Sequence, residues 1–91
     1  MAHTIRDKKK LLHRVRRVRG QIEAVERLLE SETECIDILQ QIAACRGSIN
    51  GLMAEVLEGH IRFHVAEPGL PQSSRRKAVE ELVSITRSYL K

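Results

Sequence analysis

The stretch CIDILQQIAACRGSINGLMAEVLEGHIRFH, from Cys35 to His64, decides the architecture. Cys35, Leu39, Ile42, Arg46, Ile49, Met53, Val56 and His60 step by three or four residues, the repeat that lines one face of an α-helix. Ile38, Cys45 and Leu52 widen that stripe on one side. The spacing predicts a helix from about Thr33 to about His64. At 1.5 Å per residue, some 30 residues make a rod about 45 Å long.

Upstream, Leu11, Val15, Val18, Ile22, Val25 and Leu29 step by four, three, four, three and four, and predict a second amphipathic helix. Ser31 followed by Glu34 has the form of a capping box, which puts the break near residues 30–32 without a Gly or Pro to mark it. Downstream, Pro68, Gly69 and Pro71 end the long helix. Ser73 or Ser74 is then placed to cap a last helix in which Val79, Leu82, Val83, Thr86, Tyr89 and Leu90 share a face. The expectation is an all-α fold: three helices, the middle one long, in a single domain over residues 1–91, with residues 1–5 as a flexible arm. One short neighbour on each side leaves much of the long helix uncovered, so its apolar face should meet a second copy.

Size and composition agree. A chain of 91 residues buries only about 60 to 65% of its unfolded surface, which favours self-association. Apolar residues at 42% and charged residues at 31% suit a folded bundle. Phe63 and Tyr89 are the whole aromatic content, too little for the stacking platforms that hold single-stranded nucleic acid. No apolar run reaches the 18 or so residues of a membrane span or resembles a secretion signal. The expectation is a cytoplasmic chain with reduced thiols at Cys35 and Cys45.

Charge is concentrated at one end. From Arg6 to Arg19 eight basic residues face one acid, whereas from Ser31 to Glu67 two basic residues face six acids. On a helix Arg6, Lys10, Arg14 and Arg17 form a line beside the apolar seam, with Lys9 and Arg16 next to it. Such a ridge suits the phosphates of double-stranded DNA, read by backbone contacts and shape.

The donor atoms form a second pattern. His60 and His64 are four apart, so their imidazoles project from one side of a helix and could share a metal ion. Cys35 lies 25 residues earlier on the same stripe, about 37 Å away. Two antiparallel copies would bring them together if the two-fold axis fell between residues 47 and 50, where Gly47, Ser48 and Gly51 allow close approach. His3 adds an imidazole, and removal of Met1 would expose the α-amine of Ala2 beside it. One thiolate, three imidazoles and an amine exceed what tetrahedral zinc needs and include too few thiols for copper(I). That donor set favours Ni(II) or Co(II), with Glu34 or Glu58 available to complete the shell. His13 reads as a surface residue or DNA contact, and Cys45 as a packed small hydrophobe. No nucleophile and base pair or phosphate loop is present in the sequence, so an enzyme is not expected.

The stretch LQQIAACRGSINGLMAEVLEGHI from Leu39 to Ile61, with Glu34-Cys35 and RVRRVRGQIEAVERLLE before it, resembles the CsoR/RcnR family of bacterial metal-sensing repressors. The likeness covers nearly the whole chain and is weakest from Val65 to Ser74 and in the last helix. It implies antiparallel dimers of the long helix, a four-helix bundle assembling into a dihedral tetramer, and operator binding through the first helices, with Arg14 and Arg17 at the family's basic positions. It also implies the direction of the switch: the inducer-free protein represses and the inducer releases DNA. Copper sensors carry a second Cys where this chain has His64. Formaldehyde sensors share Cys35 and His60 but have a proline where Ala2 stands and lack the histidine at 64. The set His3, Cys35, His60 and His64 is similar to the nickel/cobalt-responsive branch and implies control of a metal efflux gene. Two rival expectations are a formaldehyde- or thiol-reactive-species sensor working through Cys35 and a non-specific architectural DNA-binding bundle.

Overall fold

The computed structural model describes the backbone of residues 3–90 and the side chains of residues 4–90. Four α-helices follow one another: α1 (His3–Arg6), α2 (Lys8–Glu30), α3 (Cys35–His60) and α4 (Gln72–Tyr89). A π-helical turn, Ile61–Val65, prolongs α3, and no strand occurs among the described residues. The all-α class and the long central helix are as the periodicity requires. The count differs by one, because residues 3–5, expected within a flexible arm, form a helical turn with Arg6, and Asp7 separates it from α2.

The serines act differently from expectation. Ser31 donates its hydroxyl to the carbonyls of Arg27 and Leu28 at 2.9 and 3.3 Å, so it closes α2 and does not cap α3. The α2 terminus is a Schellman motif: Thr33 N–H reaches Leu28 O at 3.1 Å and Glu32 N–H reaches Leu29 O at 3.3 Å. Glu32 takes the left-handed conformation this motif needs, φ 54°, where glycine would be usual. Helix α4 begins after Pro71, with no serine cap; Arg75 N–H makes its first bond to Pro71 O at 3.0 Å. The Arg75 guanidinium also reaches back, donating to Val65 O at 2.8 Å and Glu67 O at 3.1 Å, and so fastens α4 to the end of the π turn.

Helices α2 and α3 form an antiparallel hairpin, and here the apolar seams divide. On α2, Leu11, Val18 and Val25 are half-buried, while Val15, Ile22 and Leu29 from the same seam are exposed. On α3 the widening residues Ile38 and Leu52 are half-buried and Cys45 is buried, whereas Leu39, Ile42 and Ile49 are 55%, 47% and 46% exposed. The α2–α3 contact uses one edge of each stripe and leaves the remainder open. Among the described residues only Cys45 and Ala78 are buried apolar side chains.

The chain is a slab of 55 × 29 × 13 Å with a radius of gyration of 17.2 Å, against roughly 12 Å for a compact chain of this length. Its accessible surface is 7168 Å², where a compact monomer of this mass would show roughly 5,400 Å². The excess follows from the elongated shape, and Leu39, Ile42, Ile49 and other large apolar side chains contribute to it.

Candidate functional site

The basic ridge is built on the first turns of α2 and on α1. All six candidate DNA contacts, Arg6, Lys9, Lys10, Arg14, Arg16 and Arg17, line one open groove of ≈ 690 Å³ together with Asp7 and His13. They do not form one helical line, because Arg6 belongs to α1. Its guanidinium lies over the Phe63 ring, 4.4 Å from the centroid, and ties the amino-terminal turn to the π turn. Lys10 Nζ and Arg14 Nη2 contact the two oxygens of Glu55 on α3, at 3.2 and 3.1 Å. The hydrogen bond from Lys10 is the main cause that lowers the Glu55 carboxyl below its ordinary value; dehydration opposes it, and the charges of Lys10 and Arg14 add to it. Lys9, Arg16 and Arg17 are exposed and have no acidic partner among the described residues.

The imidazoles sit at the carboxy-terminal end of α3, the end that Glu55 and Phe63 also hold against the basic residues. His60 closes the helix and His64 lies in the π turn, yet the pair expected from i,i+4 spacing survives: the ring centroids are 5.3 Å apart, tilted by 48°. Nε2 of His60 is 3.0 Å from the carbonyl oxygen of Ala78 on α4. A carbonyl only accepts, so Nε2 carries the proton and Nδ1 of the neutral ring keeps the lone pair for a metal. Both rings line an open groove of ≈ 400 Å³ with Leu70, Ser74, Lys77, Ala78 and Glu81.

Cys35 is exposed at the first position of α3, at the opposite end of the rod from His60. No group of three or more His, Cys, Asp or Glu donors forms among the described residues of one chain. Of the two supplementary candidates, Glu34 is the residue before α3, and Glu58 is held by Arg62 at 2.9 Å. Ala2 and the His3 side chain lie outside the described residues. His13 lines the basic groove and Cys45 is buried, free and packed.

Two participants were not legible in the sequence. The Ala78 carbonyl is a backbone group and leaves no residue signature. Glu55 is one acid among several on α3, and only the hairpin register sets it opposite Lys10 and Arg14.

A chain with no strand among its described residues, with a basic leading helix and with thiol and imidazole donors at opposite ends of one long helix, has the build of a small helical regulator. The chain belongs to the metal-sensitive transcriptional repressors: the family model of that description matches residues 7–88. It is 57% identical over 91 residues to an uncharacterized protein from the bioA 5′ region of Serratia marcescens, and 42% identical over 91 residues to the transcriptional repressor RcnR of Salmonella arizonae. Both matches cover 100% of each chain. Among solved structures it resembles a glutamate-to-histidine variant of the formaldehyde-responsive regulator FrmR from Salmonella enterica serovar Typhimurium. That match has a TM-score of 0.84 and 48% identity over 92% of this chain and 94% of the other. The family consists of transcriptional repressors, and among the described residues no helix is long and apolar enough to cross a membrane.

Proposed function

We propose that this chain is a nickel- or cobalt-responsive repressor, cytoplasmic and acting as a dimer of dimers. It holds operator DNA when inducer-free and releases it when Ni(II) or Co(II) binds, so that a metal efflux gene is expressed. The observation that carries the reading is the separation of donors along one open apolar face. An adjacent imidazole pair closes one end of α3, an exposed thiol opens the other, and Leu39, Ile42 and Ile49 lie uncovered between them. Antiparallel pairing about residues 47–50 covers that face and makes two equivalent sites, each with Cys35 of one copy and His60 and His64 of the other.

In this reading His60 binds through Nδ1 and its Nε2–H holds Ala78 O, so the site is oriented by α4. His64 and Cys35 supply further donors, and His3 with the Ala2 amine completes the set. Nickel or cobalt supplies a demand for five or six donors, more than one chain's end of α3 offers. Drawing the α1 arm, Cys35 and the imidazole pair together shifts α3 against α2, which carries the DNA-facing cations. The coupling is negative, typically about 1 to 3 kcal/mol, and DNA must weaken metal binding equally.

The test is an anaerobic titration with Ni(II) and Co(II) that follows thiolate-to-metal absorption and release of DNA in one sample. Both signals should change together at one metal per protomer; unchanged DNA affinity at saturation would end the reading. The likeness to the formaldehyde-responsive FrmR favours a second reading, in which an aldehyde adds to the Cys35 thiol. His64→Leu separates the two, because metal-driven release should be lost while a thiol addition should persist.

A further inference from the structure

Asp7 is the acid that lines the basic groove, but the carboxylate that pairs with its cations is Glu55, which reaches Lys10 and Arg14 from α3. Glu55 bridges Lys10 and Arg14, four residues apart on α2, with one oxygen to each cation at 3.2 and 3.1 Å. The Arg14 guanidinium is seated on α3 by two residues. Glu55 accepts its Nη2–H, and one turn earlier Gly51 leaves the space: a Cβ there would stand 3.3 Å from Arg14 Nη1. Arg14 is therefore 38% exposed although it lines an open groove, while Glu55 is 26% exposed.

We propose that Glu55 is a counter-charge that holds Lys10 and Arg14 back from DNA, and so sets the strength and the salt dependence of binding by the basic groove. This inference rests on the reading of that groove as the DNA surface. Phosphate and carboxylate offer the same cations the same kind of charge-assisted hydrogen bond, so Glu55 competes with DNA for Lys10 and Arg14 and neutralises part of their charge. With Glu55 in place, the three groups present a net +1; without it, +2. Lys9, Arg16 and Arg17 face no such competition among the described residues. Glu55 also belongs to α3, five residues before His60, so the restraint sits on the element that bears the sensing donors.

The experiment measures fluorescence anisotropy of metal-free protein on two duplexes of equal length between 50 and 300 mM salt, concentrations on the order of those that resolve such slopes. One duplex is the DNA immediately upstream of the chain's own gene; the other is unrelated. Glu55→Gln should bind both more tightly, by roughly threefold or more at low salt, and steepen the plot of log K against log salt by about 1 to 2 for each contacting protomer. Glu55→Asp, which keeps the charge, should stay close to wild type in slope. In the wild-type background Lys10→Met should cost less affinity than Lys9→Met, and in the Glu55→Gln background the two should cost the same. The wild-type comparison of Lys10 with Lys9 decides the matter even if Glu55→Gln folds poorly. An unchanged or weakened affinity with an unchanged slope overturns the proposal, as does an equal cost of the two lysines in wild type. Failure of the wild-type protein to bind either duplex overturns the DNA reading itself, and the inference with it, and is recognised without any variant.

Discussion

The two sides of α3 are built from the same kinds of residue and have opposite fates. Ile38, Cys45 and Leu52 turn toward α2 and are half-buried or buried, while Leu39, Ile42 and Ile49, each one to four positions away, are about half exposed. A hairpin of two helices offers one groove, and each helix can fill it with only one edge of its stripe. The difference teaches that the stripes are wider than one partner needs. The single chain covers only part of the apolar surface of α3, and the closed side and the open side should respond differently to substitution.

The largest expected effect is on the open side. Ile42→Asp puts a carboxylate where the second copy would desolvate it, and should weaken self-association by about 100-fold or more. Light scattering coupled to gel filtration would read it as a shift toward monomer at micromolar concentration. An unchanged assembly state would remove the second copy from that face, and with it the proposed joint site.

The two cysteines sharpen the same contrast at smaller amplitude. Cys45, 3% exposed, fills the α2–α3 contact, so Cys45→Ala should cost about 1 to 2 kcal/mol in denaturant unfolding and leave inducer response in place. Cys35→Ala, at an exposed position, should change stability by less than about 0.5 kcal/mol and abolish inducer-driven DNA release. Alkylation of the native, inducer-free protein should mark Cys35 first and Cys45 only on unfolding. Equal labelling rates would deny that the two sides of α3 differ.

Much of this was legible beforehand, for identifiable reasons. Long runs of three-four spacing locate α2, α3 and α4 because helix periodicity repeats over many turns. The His60/His64 pair follows from the same arithmetic and survives the π turn. Which edge of each stripe faces the chain itself was not legible, since half a seam and a whole seam have the same spacing. The serine caps were misread because Ser31 bonds equally well to carbonyls behind it as to amides ahead, and the Schellman geometry around Glu32 decides between them. Arg6 leaves the basic line because Asp7 interrupts the helix, a break with no Gly or Pro to announce it.

The turn that sets the two sides apart can itself be tested. Glu32 holds φ 54° in a position that glycine occupies at little cost, and a residue with a Cβ pays roughly 1 kcal/mol there. Glu32→Gly should therefore raise unfolding stability by about 0.5 to 1 kcal/mol, less whatever glycine adds to the freedom of the unfolded chain. A loss of stability would show that the Glu32 side chain, and not the backbone geometry alone, maintains the turn.

The smallest effect lies on the closed side, at its ionic end. The Glu55 carboxyl titrates below its ordinary value of 4.5 in the folded chain because Lys10, then Arg14, favour the charged form. A carboxyl lowered on folding stabilises the fold above its unfolded pKa, and that contribution disappears as pH falls through the folded value. The melting temperature of wild type should thus exceed that of Glu55→Gln at pH 7, by a few degrees at most for so solvent-accessible a cluster, about what surface ion pairs provide. The difference should shrink as pH drops below about 4.5 and vanish once the carboxyl is protonated. A gap that persisted at low pH would assign Glu55 a packing role against Lys10 and Arg14 and take away the ionic one.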